Sequence, residues 1–133
     1  MKKLKFGIAG YGKMGKIRAD SIFNFEEAEL VSVFDKDLEN LENKLNQCTS
    51  FDELLDSGVD GVFISTYVDA AADYVLRALK KGKHVFCEKP PSLSKEELLE
   101  IKEFQSSSNL ILKYGFNHRF HYSVIEAKKL IEE

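Results

Sequence analysis

Short apolar runs and helical spacings alternate along most of this chain. Leu4 to Ala9 is an apolar run that ends in glycines, the pattern of a buried strand. Glu29 to Phe34 (ELVSVF), Gly61 to Thr66 (GVFIST), Lys83 to Cys87 (KHVFC) and Leu110 to Tyr114 (LILKY) repeat that signature. A weaker strand fits at Gln47 to Thr49. Between the runs, Lys13 to about Phe25 predicts a helix with Met14, Ile17, Ile22 and Phe25 available for one broad face. Asp37 to Asn46 predicts a short helix through Leu38, Leu41 and Leu45. Ser50 and Glu53 stand at capping-box spacing and open a small helix, Phe51 to Asp56. Ala70 to Lys80 predicts a helix halted by Gly82. Ser94 with Glu97 opens another, to about Gln105, with Leu98, Ile101 and Gln105 on one side. His121 to Glu133 is amphipathic through Val124, Ile125, Leu130 and Ile131.

Six strands alternating with helices predict an α/β fold: a doubly wound, three-layer arrangement around a mostly parallel sheet. Such a sheet binds its ligand beyond the carboxyl ends of its strands. The length of 133 residues suits one domain. With 19 Lys+Arg against 22 Asp+Glu, the net charge of −3 argues against a nucleic-acid binder, whose affinity would need clustered cations. Cys48 and Cys87 form no disulfide framework, and no apolar run is long enough for a membrane span, so a cytoplasmic protein is expected. Two Cys and three His show no recurring ligand spacing, so no metal site is expected.

The chemistry begins where the first strand meets the first helix. Gly10, Tyr11, Gly12, Lys13, Met14 and Gly15 spell G-x-G-x-x-G. Gly10 permits a tight turn, Gly12 lets a pyrophosphate approach bare backbone, and Gly15 lets helix and strand pack closely. The helix start offers unpaired N–H groups and a positive dipole end to phosphates. Asp35 closes the second strand 20 residues beyond Gly15. A carboxylate there accepts from ribose hydroxyls and repels a 2′-phosphate, which favours NAD over NADP. The plainer reading is a shaped turn with Asp35 as a cap.

Cys87-Glu88-Lys89-Pro90-Pro91 leaves a strand at its carboxyl end. A lysine ammonium beside a nicotinamide can orient a substrate hydroxyl, although a lone loop lysine is more often solvated surface. A cis Lys89–Pro90 bond is compatible with this turn. Here the sequence resembles the Gfo/Idh/MocA oxidoreductases in three blocks: GIAGYGKMG, GKHVFCEKP and YGFNHRF. The resemblance implies a Rossmann domain over residues 1–120, with 121–133 a helix leading to a C-terminal substrate domain absent from this chain. It implies NAD- or NADP-dependent dehydrogenation of a sugar, cyclitol or related alcohol. Lys89 matches the catalytic lysine by the nicotinamide, and Glu88 beside it matches a positioning residue. Asn117 and Arg119 match the loop near the cofactor's reactive end, and Gly10, Gly12, Gly15 and Asp35 match the dinucleotide loop and the ribose acid.

The family pattern Thr-Pro-Asn-x-x-His reads here Thr66-Tyr67-Val68-Asp69-Ala70-Ala71, which leaves Thr66 for cofactor contact through its backbone. A proton-accepting base is also missing from the motifs. His84 lies in a strand among apolar neighbours and reads as structural, His118 is open to either reading, and His121 reads as surface. The chain is therefore expected to bind cofactor without turnover by itself. The resemblance allows an oligomer. The alternative is a non-catalytic module that senses the dinucleotide.

Overall fold

The computed structural model describes residues 2–37 and 45–132. Among them, six strands form one all-parallel sheet in the order β3-β2-β1-β4-β5-β6. The strands are β1 (Leu4–Ala9), β2 (Ala28–Phe34), β3 (Asn46–Cys48), β4 (Gly61–Ile64), β5 (His84–Cys87) and β6 (Leu112–Tyr114). The helices are α1 (Lys13–Phe23), α2 (Phe51–Asp56), α3 (Val68–Lys80), α4 (Lys95–Ser106) and α5 (Tyr122–Glu132). A one-turn 3₁₀ helix, Asn117–Phe120, precedes α5. The doubly wound α/β fold expected from the sequence is thus present, and its strand order reverses direction between β1 and β4.

Strand alternation sends apolar side chains to both faces. On one face Ile8, Leu30 and Val33 pack with Ala19 and Ile22 of α1. On the other, Ala9, Phe34, Val62, Ile64, Val85 and Cys87 join α2, α3 and Ile101 of α4. Phe51 and Tyr74 stack at 4.1 Å between centroids and link α2 to α3. Ser50 and Ser94 cap α2 and α4, each accepting from the amide three residues on, Glu53 and Glu97.

One sequence expectation, the broad face of α1, needs correction. The face of α1 is narrower than its large residues suggest: Gly15, Ala19 and Ile22 are buried, whereas Met14 and Ile17 are exposed and Phe25 lies past the helix end. Small residues allow α1 to sit close on the sheet. The helix predicted from Asp37 to Asn46 falls mostly on residues 38–44, outside those described, and Asn46 itself begins β3. The amphipathic last segment does form α5, yet none of its residues is buried.

Candidate dinucleotide site

The sheet's hydrogen-bond ladder continues past the last residue of β1, β4, β5 and β6. Gly10 N donates to Phe34 O at 2.8 Å and Ser65 N to Ala9 O at 2.7 Å. Glu88 N donates to Ile64 O at 2.9 Å and Gly115 N to Cys87 O at 2.8 Å. The loops that carry the sequence motifs are therefore rooted at one edge, the carboxyl edge of the sheet.

Between the β1 and β4 loops lies a cleft of about 590 Å³. Gly10, Tyr11, Gly12, Lys13, Met14, Asp35 and Thr66, all expected from the sequence, line it. Gly10 has φ +86°, and a Cβ there would stand 2.6 Å from the Ser65 carbonyl. At Gly12 a Cβ would meet nothing within 4 Å, so the floor is bare backbone open to a ligand. Gly15 does not line the cleft; a Cβ there would fall 2.0 Å from Gly10 O, so its role is the close packing of α1 on β1.

The start of α1 differs from those of α2 and α4. Its N-cap, Gly12, offers no side-chain acceptor, and its first turn carries no acidic residue. α2 and α4 each have a serine cap and two acids in the first turn, Asp52 and Glu53 in α2, Glu96 and Glu97 in α4. The amide donors and dipole of α1 are left for an outside anion.

Asp35 reaches back into this loop. Its Oδ2 accepts from Tyr11 N at 2.5 Å and its Oδ1 from Asp37 N at 3.0 Å. Each carboxylate oxygen keeps a further lone pair for a ligand hydroxyl. Burial, and then the Asp20 carboxylate, raise the Tyr11 phenol above its ordinary pKa, so it lines the cleft uncharged. Ser65 Oγ and Thr66 Oγ1 are buried and find no hydrogen-bond partner among the described residues. Such orphaned hydroxyls beside a cleft suit a polar ligand.

The sequence does not single out several other lining residues. Phe34, Tyr67, Asp69, Ala70 and Tyr74 also face the cleft. Tyr67 and Asp69 stand within the segment that departs from the family pattern, so that stretch lines the cleft with different side chains. Phe34 closes the apolar run of the second strand and Tyr74 lies in the predicted Ala70 to Lys80 helix, and the fold brings both to the opening.

Glu88, Lys89, Asn117 and Arg119 are not brought into this cleft. Lys89 is exposed at the carboxyl edge, joined to Pro90 by a cis peptide. Asn117 and Arg119 are exposed on the 3₁₀ turn after β6. Glu88 is turned toward α1, where Arg18 Nε donates to its Oε1 at 2.8 Å. Of the histidines, His84 has a structural role: its Nδ1 accepts from Ile111 N at 3.0 Å. His118 and His121 stack on each other, 4.7 Å between centroids, exposed and outside the cleft.

Bare Gly12, the unclaimed helix start, the Asp35 carboxylate and the orphaned hydroxyls together fit an adenine dinucleotide. Comparison with known proteins agrees. Residues 4–116 match the oxidoreductase family Gfo/Idh/MocA, NAD-binding Rossmann fold. Glucose-6-phosphate 3-dehydrogenase of Bacillus subtilis is 32% identical over 132 residues, which are 96% of this chain and 37% of that protein. The crystal structure of myo-inositol 2-dehydrogenase from Lactobacillus plantarum superposes with a TM-score of 0.87 at 29% identity, covering 98% of this chain and 41% of that one. The scyllo-inositol dehydrogenase of Lactobacillus casei, solved with NAD(H) and scyllo-inositol, gives 0.84 at 30% identity with the same coverage. This chain thus spans between 37% and 41% of the length of these relatives. By fold, by site and by match, the chain belongs to the Gfo/Idh/MocA oxidoreductase family and is built as its NAD-binding Rossmann domain.

Proposed function

We propose that this domain supplies the cofactor-binding half of a dehydrogenase acting on a sugar, a cyclitol or a related alcohol. The observation that carries the reading is the cleft at the strand-order reversal, where Gly12 is bare and Asp35 waits at the second strand's end. In this reading Gly10, Tyr11, Gly12, Lys13 and Met14 hold the diphosphate, with α1 placed by Gly15. Asp35 holds the adenosine ribose, and Thr66 contacts the cofactor through its backbone. When bound, NAD supplies a nicotinamide ring that exchanges hydride with a carbinol carbon.

Lys89 is the catalytic residue of this proposal. Its ammonium donates a hydrogen bond to the reacting hydroxyl and orients it, with Asn117 and Arg119 closing the same edge. Glu88 acts on Lys89 by position. Removing hydride from an alcohol also requires a base for the O–H proton. In this reading His118 and His121, stacked on each other at the exposed turn after β6, do not supply that base, and the chain holds the cofactor without completing the proton transfer. The relatives extend well beyond the matched region, and α5 leaves Leu130 and Ile131 at 73% and 84% exposure. These features support α5 as a connector to a substrate domain. The free, buried thiols of Cys48 and Cys87 suit a reducing compartment such as the cytoplasm. Among the described residues no helix is long and apolar enough to cross a membrane.

Calorimetric titration with NAD and NADP tests the first step. Binding of NAD, tighter than of NADP, is the expected result, and no heat with either cofactor removes the proposal. A dehydrogenase assay of this chain on sugars and cyclitols tests the second, where sustained turnover refutes the incomplete proton path.

A further inference from the structure

Two of the sequence blocks, GKHVFCEKP and YGFNHRF, meet at the Glu88 side chain, and Arg18 reaches it from α1. Arg18 lies one turn beyond Gly15. Its Nε and Nη2 both donate to Glu88 Oε1, Nε at 2.8 Å. The guanidinium carbon sits 4.8 Å from the centroid of the Phe86 ring. The arginine and glutamate side chains are only 21% and 12% exposed. On the other side of Glu88, its Oε2 lies 2.7 Å from where a Cβ on Gly115 would stand. The backbone amides of Glu88 and Gly115 are tied to Ile64 O and Cys87 O. Glu88 is thus gripped from helix, strand and following loop, and Lys89 is the next residue.

A shielded ion pair is a poor device for stability, because desolvation offsets most of its attraction and an apolar pair would pack as well. What the arginine fork adds is direction. Its planar donors meet the carboxylate at a fixed angle while its face lies on an aromatic ring. Arg18 does not line the cofactor cleft.

We propose that Arg18 is a positioning residue that fixes Glu88, and through it the start of the Lys89 loop, relative to the helix carrying the phosphate-binding turn. The inference rests on reading Lys89 as the group that meets substrate beside the nicotinamide. It makes α1 a shared reference for two functional loops, one at its first residue and one at its second turn.

Two variants of the full chain test it. Arg18→Met keeps the stem without the donors; Arg18→Lys keeps the charge without the planar fork. Residue-resolved amide exchange in the Met variant is expected to speed about tenfold or more at Glu88 and Gly115, with Ile8 and Val33 unchanged. The Lys variant falls between, and it carries the same reading if the Met variant does not fold. The second readout is acetylation of Lys89 by acetic anhydride, followed by peptide mass spectrometry with and without NAD. In the native chain NAD slows this acetylation several-fold. In the Met variant NAD binds within about threefold of the native affinity, yet the protection is lost, and the Lys variant restores part of it. Unchanged exchange at Glu88 and Gly115, or undiminished protection of Lys89, overturns the role of Arg18. Faster exchange in the Met variant with no protection in the native chain overturns instead the placing of Lys89 by the nicotinamide, and Arg18's hold on Glu88 stands.

Discussion

Two carboxylates stand in equivalent positions of this fold and do opposite things. Asp35 follows the last residue of β2, and Glu88 follows the last residue of β5. Both lie at the carboxyl edge, and both turn toward the segment that runs from Gly10 into α1. Asp35 meets neutral backbone N–H groups and lines the open cleft. Glu88 meets a guanidinium and is covered by Arg18, Phe86 and the tight approach of Gly115. Amide donors orient a carboxylate while leaving its charge uncompensated for a ligand. A paired cation spends that charge on the protein itself. In the proposed reading, the partner, more than the position, separates a binding acid from a positioning one.

Replacing Gly15 breaks both arrangements at once, because α1 carries the approach to Asp35 and the anchor of Glu88. Gly15→Ala drives a methyl against Gly10 O and is expected to cost about 3 kcal/mol or more and abolish NAD binding. Thermal unfolding and calorimetry check it, and an unshifted melting temperature would contradict the packing described. Asp35→Ser separates the two carboxylates. It should weaken NAD roughly 10–100-fold, the worth of hydrogen bonds to a charged group, and narrow the preference over NADP. An unchanged NAD/NADP ratio would remove Asp35 from the ribose site. Glu88→Gln is the converse test. It should change NAD affinity by less than about threefold while lowering stability by about 1–3 kcal/mol, since it weakens a charge-assisted pair outside the cleft. A large loss of affinity with intact stability would make Glu88 a cofactor contact after all.

The smallest effect is a pH dependence whose largest shifts fall on the Glu88 side. Burial, and then Glu88, raise Cys87 from 9.0 to about 12, and burial, then Cys87, raise Tyr114 from 10.0 to about 12. Below pH 9 both groups are neutral in the folded and unfolded chain, and the preference is fully present. Between 9 and about 12 the unfolded chain loses protons that the folded chain keeps, so stability falls as pH rises. Melting temperatures measured from about pH 8 to about pH 10.5 should decline, and Cys87→Ala should flatten the decline. An equal slope in that variant would exclude Cys87 as its source.

The sheet was legible because β1, β2, β4 and β5 are continuous apolar runs, and the glycine loop because strand, turn and helix coincide with an acid at the right distance. The face of α1 was harder to read. Apolar size pointed to Met14 and Ile17, whereas close approach to the sheet selects Gly15 and Ala19. Arg18 was not singled out in the sequence, because its partner stands 70 residues away and that pairing belongs to topology. Tyr74 and Phe34 are core, yet they also edge the cleft. The region at Lys89, Asn117 and Arg119 is recognisable by motif alone. Its residues are exposed at the sheet's edge and do not line the cleft.

The ladder bonds that root each loop also say where this domain can change length. A residue inserted before Gly10, Ser65, Glu88 or Gly115 would slide a parallel strand by one position and turn its buried row to the opposite face. An insertion just after one of these anchors leaves the sheet untouched and alters only the rim. Variation in what the domain meets can therefore accumulate within a peptide unit or two of residues that tolerate almost none.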